Sequence, residues 1–151
     1  MGYTKQGLKP CLHPLLAVVA EVRLVAQLWL RPGNTACGGN VTAFFQDLWE
    51  NLPSHLRLRG VRADAGFCLP ELLALWESLR LPYVVAAQLS QPIQRLLPGD
   101  LCWSATEVAE VEYQAMSWPH PRRLVLVRHR VRDEDEGRAG KRLLDVPGWR
   151  F

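Results

Sequence analysis

Apolar residues in the first ninety positions switch between the two-residue period of strands and the longer period of helices. Two runs rich in Val and Leu, at 15–22 and 24–30, flank the polar Arg23 and are followed by the turn signal RPGN at 31–34. Because β-branched residues and a Pro-Gly pair favour strands and turns, the pattern predicts a tight β-hairpin. A single helix over 15–30 is the alternative interpretation.

Two amphipathic helices are predicted in the sequence that follows. The first lies within 38–53, where Asn40 is a candidate N-cap and Pro53 ends the pattern. The second lies within 69–82 and has Pro70 in its first turn. The predicted apolar faces consist of Val41, Phe44, Phe45, Leu48, Trp49 and Leu52 in the first helix, and of Leu72, Leu75, Trp76 and Leu79 in the second.

A short strand is predicted on each side of the second helix. Residues 56–63 alternate in polarity, and residues 83–89 form a short apolar run. A right-handed crossover through the helix would make these two strands parallel. Strands that alternate with helices at these lengths predict an α/β fold with a partly parallel sheet.

The pattern changes after residue 90. Alternating segments at 107–116 and 122–131 predict an antiparallel hairpin, and the charged segment 132–142 predicts a solvated loop. The sequence ends at Trp149 and Phe151, in what resembles the start of a strand. We therefore expect the sequence to be cut within a domain.

Composition narrows the class of protein without identifying its function. The 151 residues are enough for one ordinary domain, and 48% hydrophobic residues with six Trp predict a packed core. A net charge of +3 permits a nucleic-acid partner but does not require one. The longest apolar run, at 15–20, is too short to cross a membrane, so no membrane partner is predicted.

The metal-ligating residue types show no zinc or disulfide pattern. The four cysteines are widely spaced and include no C-x-x-C pair, which favours a reducing cytosol and a cytoplasmic location. The four histidines also lack metal-ligand spacing, and we interpret them as surface or turn residues; they are His13, His55, His120 and His129.

Asp64 is the candidate catalytic residue. It follows a predicted strand and precedes a predicted helix, at the edge of an α/β sheet where ligands gather. A carboxylate there suits a hard cation such as Mg²⁺. The alternative is that Asp64 only caps the following turn through a side-chain oxygen.

Charged residues of the second hairpin are weaker candidates. Glu110 and Glu112 point to the same side of a strand, as expected for a solvated face, and Glu107 lies on the same strand. The second alternating segment contains four arginines, Arg122, Arg123, Arg128 and Arg130. Each of them singly is explained as a solvated surface residue, whereas the four together are candidate contacts for DNA phosphates.

Three segments together resemble one protein family. They are GYTKQGLKPCLHPLLAVVAE at 2–21, LRPGNTACGGN at 30–40 and VRADAGFCLPELLALWESLRLPYVVA at 61–86. Their order and spacing are similar to those of prokaryotic insertion-sequence transposases with an Asp-Asp-Glu, RNase H-like catalytic domain. The resemblance covers most of the chain and is strongest over 2–90.

The resemblance implies a fold and a mechanism. It implies a partial RNase H-like mixed sheet flanked by helices over 1–90, holding the second to fifth core strands. Residues 91–151 would be a β-strand insertion after the fifth core strand. In the family, three carboxylates hold two Mg²⁺ ions that activate a water or a 3′-hydroxyl for displacement at a DNA phosphate. Asp64 matches the second of these acids, on the fourth core strand.

Two departures from the family pattern qualify this expectation. The first acid of the family lies upstream of the segment that starts at Gly2-Tyr3, and the Tyr-Arg-Glu-Lys helix of the third acid has no match in this sequence. We therefore expect a transposase fragment that is truncated at both ends and inactive alone. Without the central first strand, we also expect unpaired sheet edges, an exposed apolar face and marginal stability.

The resemblance also implies partners. DNA is the expected partner, as transposon ends and target, and the full-length protein is expected to form a homo-oligomer. Two alternatives remain. The chain would be either a non-catalytic remnant that binds DNA or transposase subunits through its arginines, or an unrelated cytosolic α/β domain in which Asp64 is only a turn residue.

Overall fold

The computed structural model describes residues 2–4, 7–36, 38–97, 101–130 and 149–150. The chain divides into two compact units, Met1–Gln88 and Leu89–Phe151. The elements of the first unit are β1 (Gly2–Thr4), β2 (Gly7–Lys9), β3 (Leu12–Val19), β4 (Leu24–Pro32), α1 (Val41–Glu50), β5 (Val61–Ala63), α2 (Pro70–Ser78) and β6 (Tyr83–Val85). Those of the second unit are α3 (Gln91–Leu96), β7 (Val108–Tyr113), β8 (Arg122–Val127), β9 (His129–Arg130) and β10 (Trp149–Arg150).

The first predicted hairpin is confirmed, and the alternative of a single helix is wrong. Strands β3 and β4 pair antiparallel from Leu12 opposite Pro32 to Val19 opposite Leu24, with a register shift after Ala17. The turn between them contains Arg23 at φ 57°, in the left-handed region. A non-glycine residue in this conformation is uncommon, so the turn reflects strand pairing more than local preference.

The two faces of the β3–β4 hairpin differ in their surroundings. On one face Leu15 is buried, and the Trp29 ring lies edge-on to Phe44 of α1, with 5.6 Å between the centroids. The opposite face, here called the open face, is exposed and consists of Leu12, Pro14, Leu16, Val18, Leu28, Leu30 and Pro32. An exposed apolar face was expected from the sequence and is present here.

Helix α1 is confirmed within the predicted segment. Of its six predicted core residues, Val41, Phe44, Phe45 and Leu48 are buried. Leu52 is half-buried, and the prediction is wrong for Trp49, which is exposed. Asn40 is the residue before the helix, but its side chain makes no capping hydrogen bond because its backbone is left-handed, at φ 59°. The helix instead begins with the Phe44 amide donating to the Asn40 carbonyl, at 2.9 Å.

Helix α2 is also confirmed and starts at Pro70, as its missing N–H allows. Leu72 and Trp76 are buried as predicted, and Leu73 is buried although it was not predicted. The apolar face is displaced because Trp76 packs between two rings. Its centroid lies 5.7 Å from that of Phe45 and 5.3 Å from that of Tyr83. The predicted Leu75 and Leu79 are only half-buried.

The predicted parallel pairing is confirmed, but both strands are shorter than predicted. Val61 to Ala63 of β5 lie beside Tyr83 to Val85 of β6. The Val61 amide donates to the Pro82 carbonyl at 2.9 Å, and Pro82 has no amide to extend the ladder upstream. A side chain at Gly60 would lie 3.1 Å from the same carbonyl oxygen, so the backbones approach closely there.

The second predicted hairpin is confirmed as strands β7 and β8. They pair antiparallel, with Val108 opposite Val127 and Tyr113 opposite Arg122. Farther along, β9 pairs antiparallel with β10. The predicted charged loop at 132–142 lies outside the described residues. Among the described helices, none is long and apolar enough to span a membrane.

The fold class is therefore mixed α/β, as predicted. Within the described part of the chain, every sheet has two strands: β1–β2, β3–β4, β5–β6, β7–β8 and β9–β10. A joined RNase H-like sheet and the role of the second hairpin as an insertion stay predictions.

Candidate active site and nucleic-acid interface

Asp64 lies directly after β5, at the carboxyl end of a parallel strand pair. Its Oδ1 accepts a hydrogen bond from the Gly66 amide at 2.9 Å. Its carbonyl accepts from the Phe67 amide at 3.1 Å, which closes a 3₁₀ turn over Ala65–Phe67. The turn-capping role considered from the sequence is therefore present.

Capping leaves Asp64 able to act as a ligand as well. The side chain is exposed, and a carboxylate has two oxygens with several acceptor positions, of which the Gly66 amide uses one. Its place beyond the end of a parallel strand is where α/β proteins bind ligands. The two roles are compatible in one residue.

The strand beside Asp64 adds no second acid. The Ala86 amide donates to the Ala63 carbonyl at 3.2 Å, so the chain after β6 runs beside the end of β5. That segment is Ala86, Ala87 and Gln88, which contains no carboxylate. In the described ranges, no three His, Cys, Asp or Glu residues come together as a metal site. The described residues thus offer a bound Mg²⁺ one carboxylate, which does not make a two-metal site.

The four candidate arginines of the second hairpin lie in different environments. Arg122 is 9% exposed, on the inner side of β8, and its guanidinium lies over the Trp118 ring at 5.0 Å. Arg128 follows β8, and its guanidinium lies 4.1 Å from the centroid of the Trp103 ring. Cation–π contacts of this kind hold a guanidinium against a ring face. The structure therefore packs two of the four arginines on tryptophans.

Arg128 is also held by an acid. Its Nε donates to Glu107 Oε2 at 2.6 Å, and its side chain is 23% exposed. Glu107 has φ 58°, and its carbonyl accepts from the Arg128 amide at 3.0 Å. Side chain and backbone of Glu107 therefore fix Arg128 in place.

Arg123 and Arg130 are the exposed members of the set. The Arg123 Nη2 donates to Glu110 Oε1 at 2.5 Å. That hydrogen bond and the charge of Glu110 raise the pKa of the Arg123 guanidinium above its ordinary value. Arg130 lies in β9, opposite Trp149 in the backbone register.

The outer face of the β7–β8 hairpin carries mixed charge. Glu110 and Glu112 are exposed as predicted, and Glu112 lies directly opposite Arg123 in the register. Successive residues of a strand point to opposite sides, so Arg122 lies on the inner face and Arg123 on the outer one. The outer face therefore has two acids and one arginine, and it is not a basic surface.

Several partner residues were not identified from the sequence. Trp103, Trp118 and the pairing roles of Glu107 and Glu110 were missed. The alternating pattern of β7 and β8 contains part of the information on the pairing of Glu110. A register that places Glu112 opposite Arg123 also places Glu110 diagonally from Arg123. The register depends on the turn, which the sequence pattern does not define.

The prediction that His13 is a surface or turn residue is wrong. His13 lies in β3, is half-buried, and its Nδ1 is 3.0 Å from the Thr35 carbonyl oxygen. Together with the buried Arg31, whose Nε donates to the His13 carbonyl at 3.2 Å, it ties the loop after β4 to the hairpin. No metal role follows from this arrangement.

Comparison with known families identifies the class of protein. Searches of curated proteins and of solved structures gave no significant match. The family described as transposase DDE domain group 1 matches residues 8–138, which include Asp64 and the second hairpin. Because this match covers most of the chain, the protein belongs to the transposase DDE domain group 1 family.

Proposed function

We propose that this chain is part of a catalytic domain for DNA transposition, in which Mg²⁺-dependent phosphoryl transfer cuts and joins DNA strands. The family match over residues 8–138 carries the proposal. The position of Asp64 after a parallel strand supports it, since that is where an α/β sheet binds its ligands. Divalent ions in such sites activate the attacking oxygen and stabilise the leaving one.

In this proposal Asp64 is one carboxylate ligand of the metal site. The capping hydrogen bond from Gly66 would hold the carboxylate in a defined orientation, and its exposure would leave it accessible to an ion and to DNA. The β5–β6 pair would belong to an RNase H-like sheet, and the β7–β8 hairpin would be its insertion.

We expect the 151-residue polypeptide alone to be inactive. The one carboxylate that the described residues place at this strand end does not position two Mg²⁺ ions, because each needs several oxygen ligands in near-octahedral order. The test is nicking or strand transfer on insertion-sequence end DNA with Mg²⁺ or Mn²⁺. Activity that is detectable and abolished by Asp64→Ala would contradict the expected inactivity.

The ligand role of Asp64 is tested separately from its capping role with Asp64→Asn. An asparagine oxygen still accepts the Gly66 amide, but the charge that binds a metal is lost. We expect Mn²⁺ to broaden the backbone NMR signals of Asp64 and Gly66 in the wild type and not in the variant. Equal broadening in both proteins would show that Asp64 is only a turn residue.

A second candidate function is non-catalytic binding of DNA or of transposase subunits through the second hairpin. The exposure of Arg123 and Arg130 favours it. Retention on DNA should weaken as salt rises, and it should fall further in a variant with both arginines changed to Gln. Arg122→Gln is a poorer test, because that side chain is buried against Trp118 and its loss would disturb the fold.

A further inference from the structure

We propose that Glu110 occupies the position of a DNA phosphate on Arg123 and thereby limits how tightly the β7–β8 hairpin binds DNA. The inference rests on the DNA-binding role proposed above and goes beyond it, because it assigns a negative role to an acid of the same surface.

The geometry of the pair has the features of a phosphate contact. Arg123 Nη2 and Glu110 Oε1 are 2.5 Å apart, and the two side chains are 71% and 53% exposed. Guanidinium groups bind carboxylate and phosphate oxygens through the same charge-assisted hydrogen bonds. A DNA phosphate that approaches Arg123 would therefore have to displace Glu110 from it.

Of Arg122, Arg123 and Arg128, Arg123 is the one whose availability depends most on its acid. Arg128 is held by Glu107, but it is also stacked on Trp103, so loss of the acid would leave the guanidinium on the ring. Arg122 is packed over Trp118 on the inner face. Removing Glu110, by contrast, would leave Arg123 exposed without that carboxylate.

The charge balance of the outer face of β7–β8 also weakens the expected binding of DNA. With Glu110, Glu112 and Arg123, the face has an excess of negative charge, which repels DNA. Neutralising either acid removes this excess. Only the neutralisation of Glu110 also removes the carboxylate that is bonded to Arg123, and this difference separates a specific effect from a general one.

The experiment measures binding of a short labelled DNA duplex to the full chain by fluorescence anisotropy over a range of salt concentrations. Glu110→Gln is compared with Glu112→Gln, which removes the same charge from the same strand face. We expect tighter binding for Glu110→Gln and a plot of log affinity against log salt that is steeper by about 0.9, the contribution of one added phosphate contact. Glu112→Gln should leave the slope unchanged.

Two further variants complete the test. In an Arg123→Gln background, Glu110→Gln should give no gain, because the guanidinium that it would release is absent. Glu110→Asp keeps the charge but shortens the side chain, so its slope should lie between those of the wild type and Glu110→Gln. Thermal melts check that each variant remains folded.

The outcomes separate the two proposals. If the wild type binds in a salt-dependent manner and Arg123→Gln weakens it, but Glu110→Gln and Glu112→Gln behave alike, the role of Glu110 is wrong and the DNA-binding role stands. If neither the wild type nor Glu110→Gln binds DNA with any salt dependence, both are wrong.

Discussion

The β3–β4 and β7–β8 hairpins of this chain differ in the polarity of their outer faces. In β3–β4 the open face consists of aliphatic residues and prolines and carries no charge. In β7–β8 the outer face carries Glu110, Glu112 and Arg123 in addition to valines. An apolar strand face is typical of a sheet that is covered on that side, whereas a charged strand face is typical of one in contact with water.

The difference shows what each hairpin requires for stability in water. One face of β3–β4 is packed on α1 through Trp29 and Phe44, and its open face remains in contact with solvent. The exposed side of the β7–β8 hairpin carries charged residues and an ion pair, so it is suited to contact with water. We therefore expect apolar exposure to lower the solubility of the protein at the first hairpin, and charge to govern the proposed binding of DNA at the second.

The largest expected effect comes from the packed face of the first hairpin. Phe44 is 3% exposed and contacts Trp29, so Phe44→Ala should lower the free energy of unfolding by about 3–5 kcal/mol. Leu16→Ala, on the open face of the same hairpin, should cost less than about 1 kcal/mol. Urea unfolding followed by circular dichroism measures both. Similar losses would show that the two faces are equally packed.

A measurement of self-association should distinguish the open face of β3–β4 from the outer face of β7–β8. Leu16 and Leu28 lie opposite each other on the open face. Changing both to Thr, which retains a preference for strands, should reduce concentration-dependent light scattering several-fold. Val125→Thr, on the outer face of β8, should change it little. Unchanged scattering in the Leu16 and Leu28 variant would show that the open face does not drive association.

The smallest expected effect concerns the ion pair at the base of the second hairpin. Glu107→Gln removes the charge that holds Arg128, but the stacking of Arg128 on Trp103 persists. Because the pair is only partly buried, the free energy of unfolding should fall by about 1 kcal/mol or less. Glu112→Gln serves as the control, and a thermal melt compares the two. An equal effect of both changes would show that the Glu107 pair makes no specific contribution.

Periodicity predicted most of the local structure but not the lengths of all elements. The β3–β4 and β7–β8 hairpins and the helices α1 and α2 were predicted, because the spacing of apolar residues is a local property. The short β1–β2 pair was not predicted. The β5 strand was predicted from residue 56 and begins at Val61, because its ladder depends on Pro82, a partner more than twenty residues away. Leu73 was missed in α2 because two neighbouring rings decide which side of the helix is buried.

The candidate site was predictable only where it depends on residues that are close together in the sequence. The position of Asp64 after a strand could be inferred from the adjacent sequence, and so could its ability to cap the turn. The separation of the four arginines into packed and exposed members could not be inferred. It depends on the register of β7 with β8 and on Trp103 and Trp118, which approach the arginines only in the folded chain.

The sequence by itself determined the type of most elements from β3 to β8, the class of fold and the position of Asp64 at the end of a strand. Each of these follows from residues close together in the chain, through backbone preferences and the period of the apolar pattern. Only the tertiary structure decided which hairpin face is covered, where the parallel ladder begins, and that Arg123 meets Glu110 while Arg122 meets a tryptophan. Those outcomes depend on strand register and packing, which join residues that are distant in the sequence.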